Sequence, residues 1–156
     1  MTVLDRTSFV LRMAEALHRY GHPAHRLEEA LVATSQKLGL EAQFFSTPTS
    51  IFASFGPLEA QHTHLIRMEP GAADLGRLAK VDRIVLRVIR GEVSPAEGSR
   101  ALDVLDNEAP PYGRALTLLA FAVASAGAAR FFGGGAPEVT AAALVGLSTG
   151  LLRSSW

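Results

Sequence analysis

Two stretches without a charged residue, Ala115 to Ala129 and Val139 to Leu152, constrain this chain more than any other feature. Neither carries the charged stripe that a small hairpin in water needs on its outer face. Thr117 and Ser125 are the only hydroxyl residues of the first run. Ala122, Ala124, Ser125, Ala126, Gly127 and Ala128 are small enough for the close helix packing favoured in lipid. Each run alone is shorter than the roughly 20 residues that cross a bilayer core. Extended through Phe132, the first becomes long enough, and Arg114 and Arg130 near its ends can snorkel to the headgroups. The second stays marginal. The expectation for residues 110–156 is a membrane-inserted helical hairpin rather than one buried in a soluble protein.

The remainder of the chain faces a different solvent. Residues 1–110 hold 12 Lys and Arg and 14 Asp and Glu, whereas residues 111–156 hold only Arg114, Arg130, Arg153 and Glu138. The formal net charge of zero argues against nucleic acid as a partner. With no cysteine, disulfide frameworks and thiolate metal or redox sites are excluded. Asp5 and Arg6 interrupt MTVLDRTSFV, so no cleaved signal is expected there. The basic residues before Arg114 favour a cytoplasmic N-terminal part, with Gly133 to Gly135 in the outer turn.

Within residues 1–109 the pattern predicts an α+β domain. Phe9, Val10, Met13, Leu17 and Tyr20 recur at helical steps over residues 5–20, and Gly21 can close that helix. Pro23 suits the first turn of a second helix carrying Leu27, Leu31 and Leu38. Residues 41–47, 50–55 and 61–68 read as strands, with Pro48 between the first two. Leu75, Leu78, Val81, Val85, Val88 and Ile89 stripe a third helix. Ser94-Pro95-Ala96-Glu97 is a capping box for a fourth, and Pro110-Pro111 breaks the chain after it.

Several side chains are candidates for chemistry. His25, Glu28 and Glu29, with His22 nearby, have spacing that could hold a divalent ion, but carboxylates in a helix first turn are favoured by the dipole alone, and no metal is expected. Arg26 forms either a structural ion pair with Glu28 or Glu29, or a planar fork for a substrate carboxylate. His62 and His64 share one strand face, as a general base or a water-exposed face would require. FFSTPTSIFASFG (residues 44–56) places Ser46, Thr47, Thr49 and Ser50 around Pro48. No Gly-x-Ser-x-Gly elbow accompanies them, so a structural hairpin turn with local hydroxyl bonds is preferred, a ligand contact comes second and a nucleophile last.

GHPAHRLEEAL (21–31), TPTSIF (47–52), DLGRLAKVD (74–82) and RFFGGGAPE (130–138) occur in the order seen in the threonine/serine exporter family, which the chain resembles from about residue 10 to residue 152. The resemblance implies an inner-membrane secondary transporter, with a cytoplasmic domain preceding a transmembrane bundle. It implies export of small amino acids or related carboxylates without a cofactor. The family's Arg-x-Glu falls on Arg26 and Glu28, its threonine-proline-threonine segment on Thr47, Pro48 and Thr49, and its glycine turn on Gly133 to Gly135. Together with Ser50, these give Arg26, Glu28, Thr47 and Thr49 as the expected substrate contacts. Arg130 stands where an apolar residue is expected. Relatives continue through further transmembrane helices, so this chain is expected to be a truncated or split piece that joins another transmembrane subunit or a second copy. Two rivals remain: a membrane-tethered hydrolase-like enzyme using the turn hydroxyls with His62 or His64, and a regulatory interaction domain for a membrane partner.

Overall fold

Thr2 starts the first helix, α1 (Val3–Arg19): its hydroxyl accepts from the Asp5 amide and the Asp5 carboxylate accepts from the Thr2 amide. Two of the orphan amides of the helix start are thereby satisfied reciprocally. Ser94 and Glu97 repeat this device at the start of α4 (Pro95–Asp106). Between them lie α2 (Ala24–Lys37), the strands β1 (Ala42–Thr47), β2 (Ser50–Phe55) and β3 (His62–Arg67), and α3 (Leu75–Ile89). Two apolar helices follow, α5 (Arg114–Phe131) and α6 (Ala136–Arg153). The computed structural model describes residues 2–69, 71, 73–109 and 112–153. The Pro110-Pro111 break therefore lies outside the described residues. Pro23 stands immediately before α2 rather than within its first turn.

The chain divides into two compact units, residues 1–108 and 109–156. In the first, the three strands form an antiparallel sheet in chain order, β1-β2-β3. Alternation assigns its faces. Ser46, Ile51 and Ile66 make one inner row, Phe44, Ala53 and His64 the next, and Ala42, Phe55 and His62 the last. Ile51, Ala53 and Phe55 meet the core, where Phe9, Leu17, Leu27, Leu31 and Val81 are fully enclosed. The architecture is thus α+β, with a small sheet against helices. Gly98 lets α4 approach closely, because a Cβ there would stand 2.6 Å from Val88 Cγ2 and 2.7 Å from Phe9 Cε2.

A polar knot joins α1, α3 and α4. The Tyr20 hydroxyl donates to Asp106, which also pairs with Arg19, and the Arg77 guanidinium lies over the Tyr20 ring at 5.4 Å. Burial, and then the hydrogen bond to Asp106, raises the Tyr20 phenol above its ordinary range.

The second unit is a helical hairpin. α5 closes with Gly133 in the left-handed region (φ +85°), while the Gly134 amide returns to the Ala129 carbonyl at 2.9 Å. Only glycine takes that backbone without strain. Across the hairpin, a Cβ on Gly146 would come within 2.5 Å of the Phe121 carbonyl oxygen, and one on Gly150 within 2.9 Å of Leu118 Cδ2. Glycines four apart let α6 lie directly on α5. α5 is 18 residues long and apolar enough to cross a membrane, whereas the apolar part of α6, Ala136–Leu152, is shorter.

Candidate functional site: the Thr-Pro-Thr turn

The β1–β2 turn contains two residues, Pro48 and Thr49, and no non-glycine residue among the described ones has positive φ. The mirror-image turns usual in two-residue hairpins need positive φ. Here a side chain supplies part of the closure. The Ser50 amide donates to Thr47 Oγ1 at 3.0 Å, and the Thr47 and Ser50 hydroxyls bond each other at 2.8 Å. Two of the four hydroxyls are therefore committed to local structure. Thr49 is exposed, and its side chain makes no hydrogen bond among the described residues. Ser46 Oγ is buried without a hydrogen-bond partner among the described residues.

Two helices grip this turn. The Ser46 amide points off the open edge of β1 and donates to Glu28 Oε1 at 2.6 Å. A charge-assisted bond of this kind also closes the edge to other strands. From α1, His18 Nε2 lies 2.9 Å from the Thr47 carbonyl. A carbonyl cannot donate, so Nε2 carries the proton. His18 Nδ1 is buried without a partner among the described residues.

The structure separates some groups that sequence placed together. Glu28 serves the Ser46 amide and forms no ion pair with Arg26 among the described residues; nor does Glu29. Arg26 is exposed. His22, His25, Glu28 and Glu29 do not assemble into a metal-ligating group among the described residues. His64 pairs across the sheet with Ala53, three residues from Ser50, a separation of about 10 Å along the strand. Neither His62 nor His64 makes a hydrogen bond to a turn hydroxyl among the described residues.

Two neighbours escaped sequence reading. His18 reaches the turn through tertiary packing and has no local signal. Arg67 stands opposite Ser50 in the register, so Thr47, Ser50 and Arg67 form one row on the outer face. The strand alternation that grouped Arg67 with Leu65 was legible, but its pairing with Ser50 needed the register. Next to this row lies an exposed apolar one, Phe45, Phe52 and Leu65.

The family described as "Putative threonine/serine exporter" matches residues 8–156. The chain belongs to the threonine/serine exporter family. Among its relatives, "Pheromone-regulated membrane protein 10" of Pichia sorbitophila is 32% identical over 154 residues, covering 97% of this chain and 15% of that protein. The protein of the same name from Saccharomyces cerevisiae is also 32% identical over 97% of this chain, and 20% of its own length is covered. An uncharacterized protein of Schizosaccharomyces pombe is 35% identical over 122 residues, 76% of this chain and 16% of the relative. The chain thus spans between 15 and 20% of the length of these relatives. No solved structure matches it.

Proposed function

We propose that the chain is a component of a secondary transporter that exports small amino acids or related carboxylates, driven by an ion gradient and without a covalent intermediate. The family match across residues 8–156 carries this reading. Residues 1–109 form its cytoplasmic domain, and α5 and α6 are its first membrane hairpin in the inner membrane. The absence of a charged stripe on either helix supports insertion. Further transmembrane segments, from another subunit, a second copy or a longer chain, complete the bundle.

Arg26, Glu28, Thr47, Thr49 and Ser50 are the substrate-contact residues in this reading. An exposed guanidinium suits a carboxylate through two parallel N–H donors. Thr49 offers an uncommitted hydroxyl, and Glu28 holds the edge of the turn. Two experiments test the proposal. Fractionation is expected to place the chain in the membrane pellet, released by detergent; a chain fully soluble without detergent overturns the hairpin assignment. In the complete transporter, Arg26→Ala is expected to lower export about tenfold at normal expression, the order of one charge-assisted contact. Unchanged export removes Arg26 from the substrate path.

A further inference from the structure

A second concavity lies away from the Thr-Pro-Thr turn, between the first turn of α1 and the inner face of β3. It encloses about 660 Å³, within the range of small-molecule sites. Val3, Leu4, Leu40 and Phe55 supply apolar walls, and Glu41, His62 and His64 supply polar groups. Val3 and Leu4 remain 59% and 79% exposed, so the described residues of the first unit leave this apolar surface open.

The walls are fixed before any ligand arrives. The Thr2–Asp5 capping box sets the α1 turn. Phe55 packs edge-on against both Phe44 and His64, with ring centres 5.8 and 5.9 Å apart. Gly56 takes φ +99°, and a Cβ there would stand 3.0 Å from the Ala60 carbonyl oxygen. Such preorganisation lowers the entropy lost on binding.

Charge selects the occupant. Among the lining residues Glu41 is the one carboxylate, and none is Lys or Arg. Neither its carboxylate nor the His62 and His64 ring nitrogens have a hydrogen-bond partner among the described residues. Arg6 borders the wall at Gly39, where a Cβ would stand 3.3 Å from its Nη1, and that nitrogen is engaged with the Leu38 carbonyl at 2.6 Å. We infer that this cleft binds an apolar amine. Its aromatic or alkyl body lies on Leu4, Leu40 and Phe55, its ammonium group donates to the Glu41 carboxylate, and the His62 and His64 rings border the same end. A carboxylate of the same shape meets Glu41 as a like charge. This site is independent of the exporter reading and of its substrate contacts.

The test uses the full chain in lipid nanodiscs at pH 8, with empty nanodiscs as the blank. Tryptamine, tryptophol and indole-3-propionate are titrated while the amide signals of Thr7, Gly39 and Gly56 are followed by NMR. Tryptamine is expected to saturate those signals at about a tenfold lower concentration than indole-3-propionate, from one attraction replaced by one repulsion near the surface. Glu41→Gln is expected to bring amine and alcohol to equal affinity while leaving the alcohol unchanged. Leu4→Ala, at an exposed position, is expected to weaken all three about threefold through lost apolar contact. Absence of a saturable shift, equal binding of carboxylate and amine, or a Glu41→Gln variant that still prefers the amine overturns the inference. An unaltered amide spectrum elsewhere shows that each variant is folded.

Discussion

α3 and α5 are of comparable length, 15 and 18 residues, and both are rich in apolar side chains. They distribute them differently. α3 buries Val81, Val85 and Val88 on one side and presents Arg83, Arg87 and Asp82 on the other. α5 buries only Ala122 and leaves Leu116, Leu119 and Val123 exposed, with no charged residue between Arg114 and Arg130. One helix is written for a boundary between core and water. The other lacks a water-facing side, so its stability must come from a medium that accepts apolar surface everywhere. Glycine serves both units, at Gly98 in the first and at Gly146 and Gly150 in the second, but against different surroundings.

The strongest test of that contrast is Gly98→Val. Its added carbons meet Val88 and Phe9 well inside contact distance, so overpacking should destabilise the first unit by about 3 kcal/mol. Urea unfolding followed by hydrogen exchange over residues 1–108 reads this; a loss below about 1 kcal/mol would mean that the core repacks readily. Gly146→Leu is expected to cost about 2 kcal/mol by prising α6 from α5, because the obstacle is the Phe121 backbone, which cannot rotate away. Spin labels on Leu119 and Ser148 should report a longer, broader distance. An unchanged distance in lipid would sever the analogy between the two glycine contacts.

Smaller changes sharpen the picture of the first unit. Glu28→Ala leaves the Ser46 amide without its acceptor and is expected to cost about 1.5 kcal/mol, whereas Glu28→Gln retains a carbonyl and restores most of it. Faster hydrogen exchange at Ser46 in the alanine variant alone is the signature. The smallest effect is expected from Tyr20. Its phenol is raised in the folded state, so its contribution is complete below about pH 10 and is lost as pH climbs from there through the folded value. Tyr20→Phe should therefore flatten part of the alkaline fall in stability. Denaturant midpoints from pH 8 to 11 that fall equally in both proteins would show that Asp106 and burial exert no such hold.

Local pattern made the elements legible. Leu27 and Leu31 recur at helical spacing, Ser94 and Glu97 announce a cap, and Pro48 separates two runs of Phe, Thr and Ile, so helices and strands fell close to their observed limits. The hydroxyls of the turn were visible too, but their bonds were not. Whether Thr47 Oγ1 faces a ligand or the Ser50 amide depends on φ values that residue types do not dictate. Arg26 and Glu28 are sequence neighbours of opposite charge, yet an edge amide from β1 competes for the carboxylate and takes it. His18 and Arg67 reach Thr47 and Ser50 from 29 and 17 residues away, a juxtaposition that packing and register create. Ala122 to Ala128 pointed to close packing in the first apolar run, whereas the Gly146 and Gly150 contacts that answer it on α6 emerged only from the structure.

The sheet pairs strands in the order in which they occur, so its contacts form between near neighbours in the chain. The packing of α1 on α4 is of another kind, since it joins the first helix to the last of its unit. During synthesis at about 5–20 residues per second, the roughly 75 residues between them separate the two by about 4–15 s. For that interval the faces of Phe9 and Val10 have no α4 to close on them, and the sheet they gather around is complete only once Arg67 has been added. A nascent chain in this state is open to capture by a chaperone, and translation rate across α2 and α3 sets how long that window lasts.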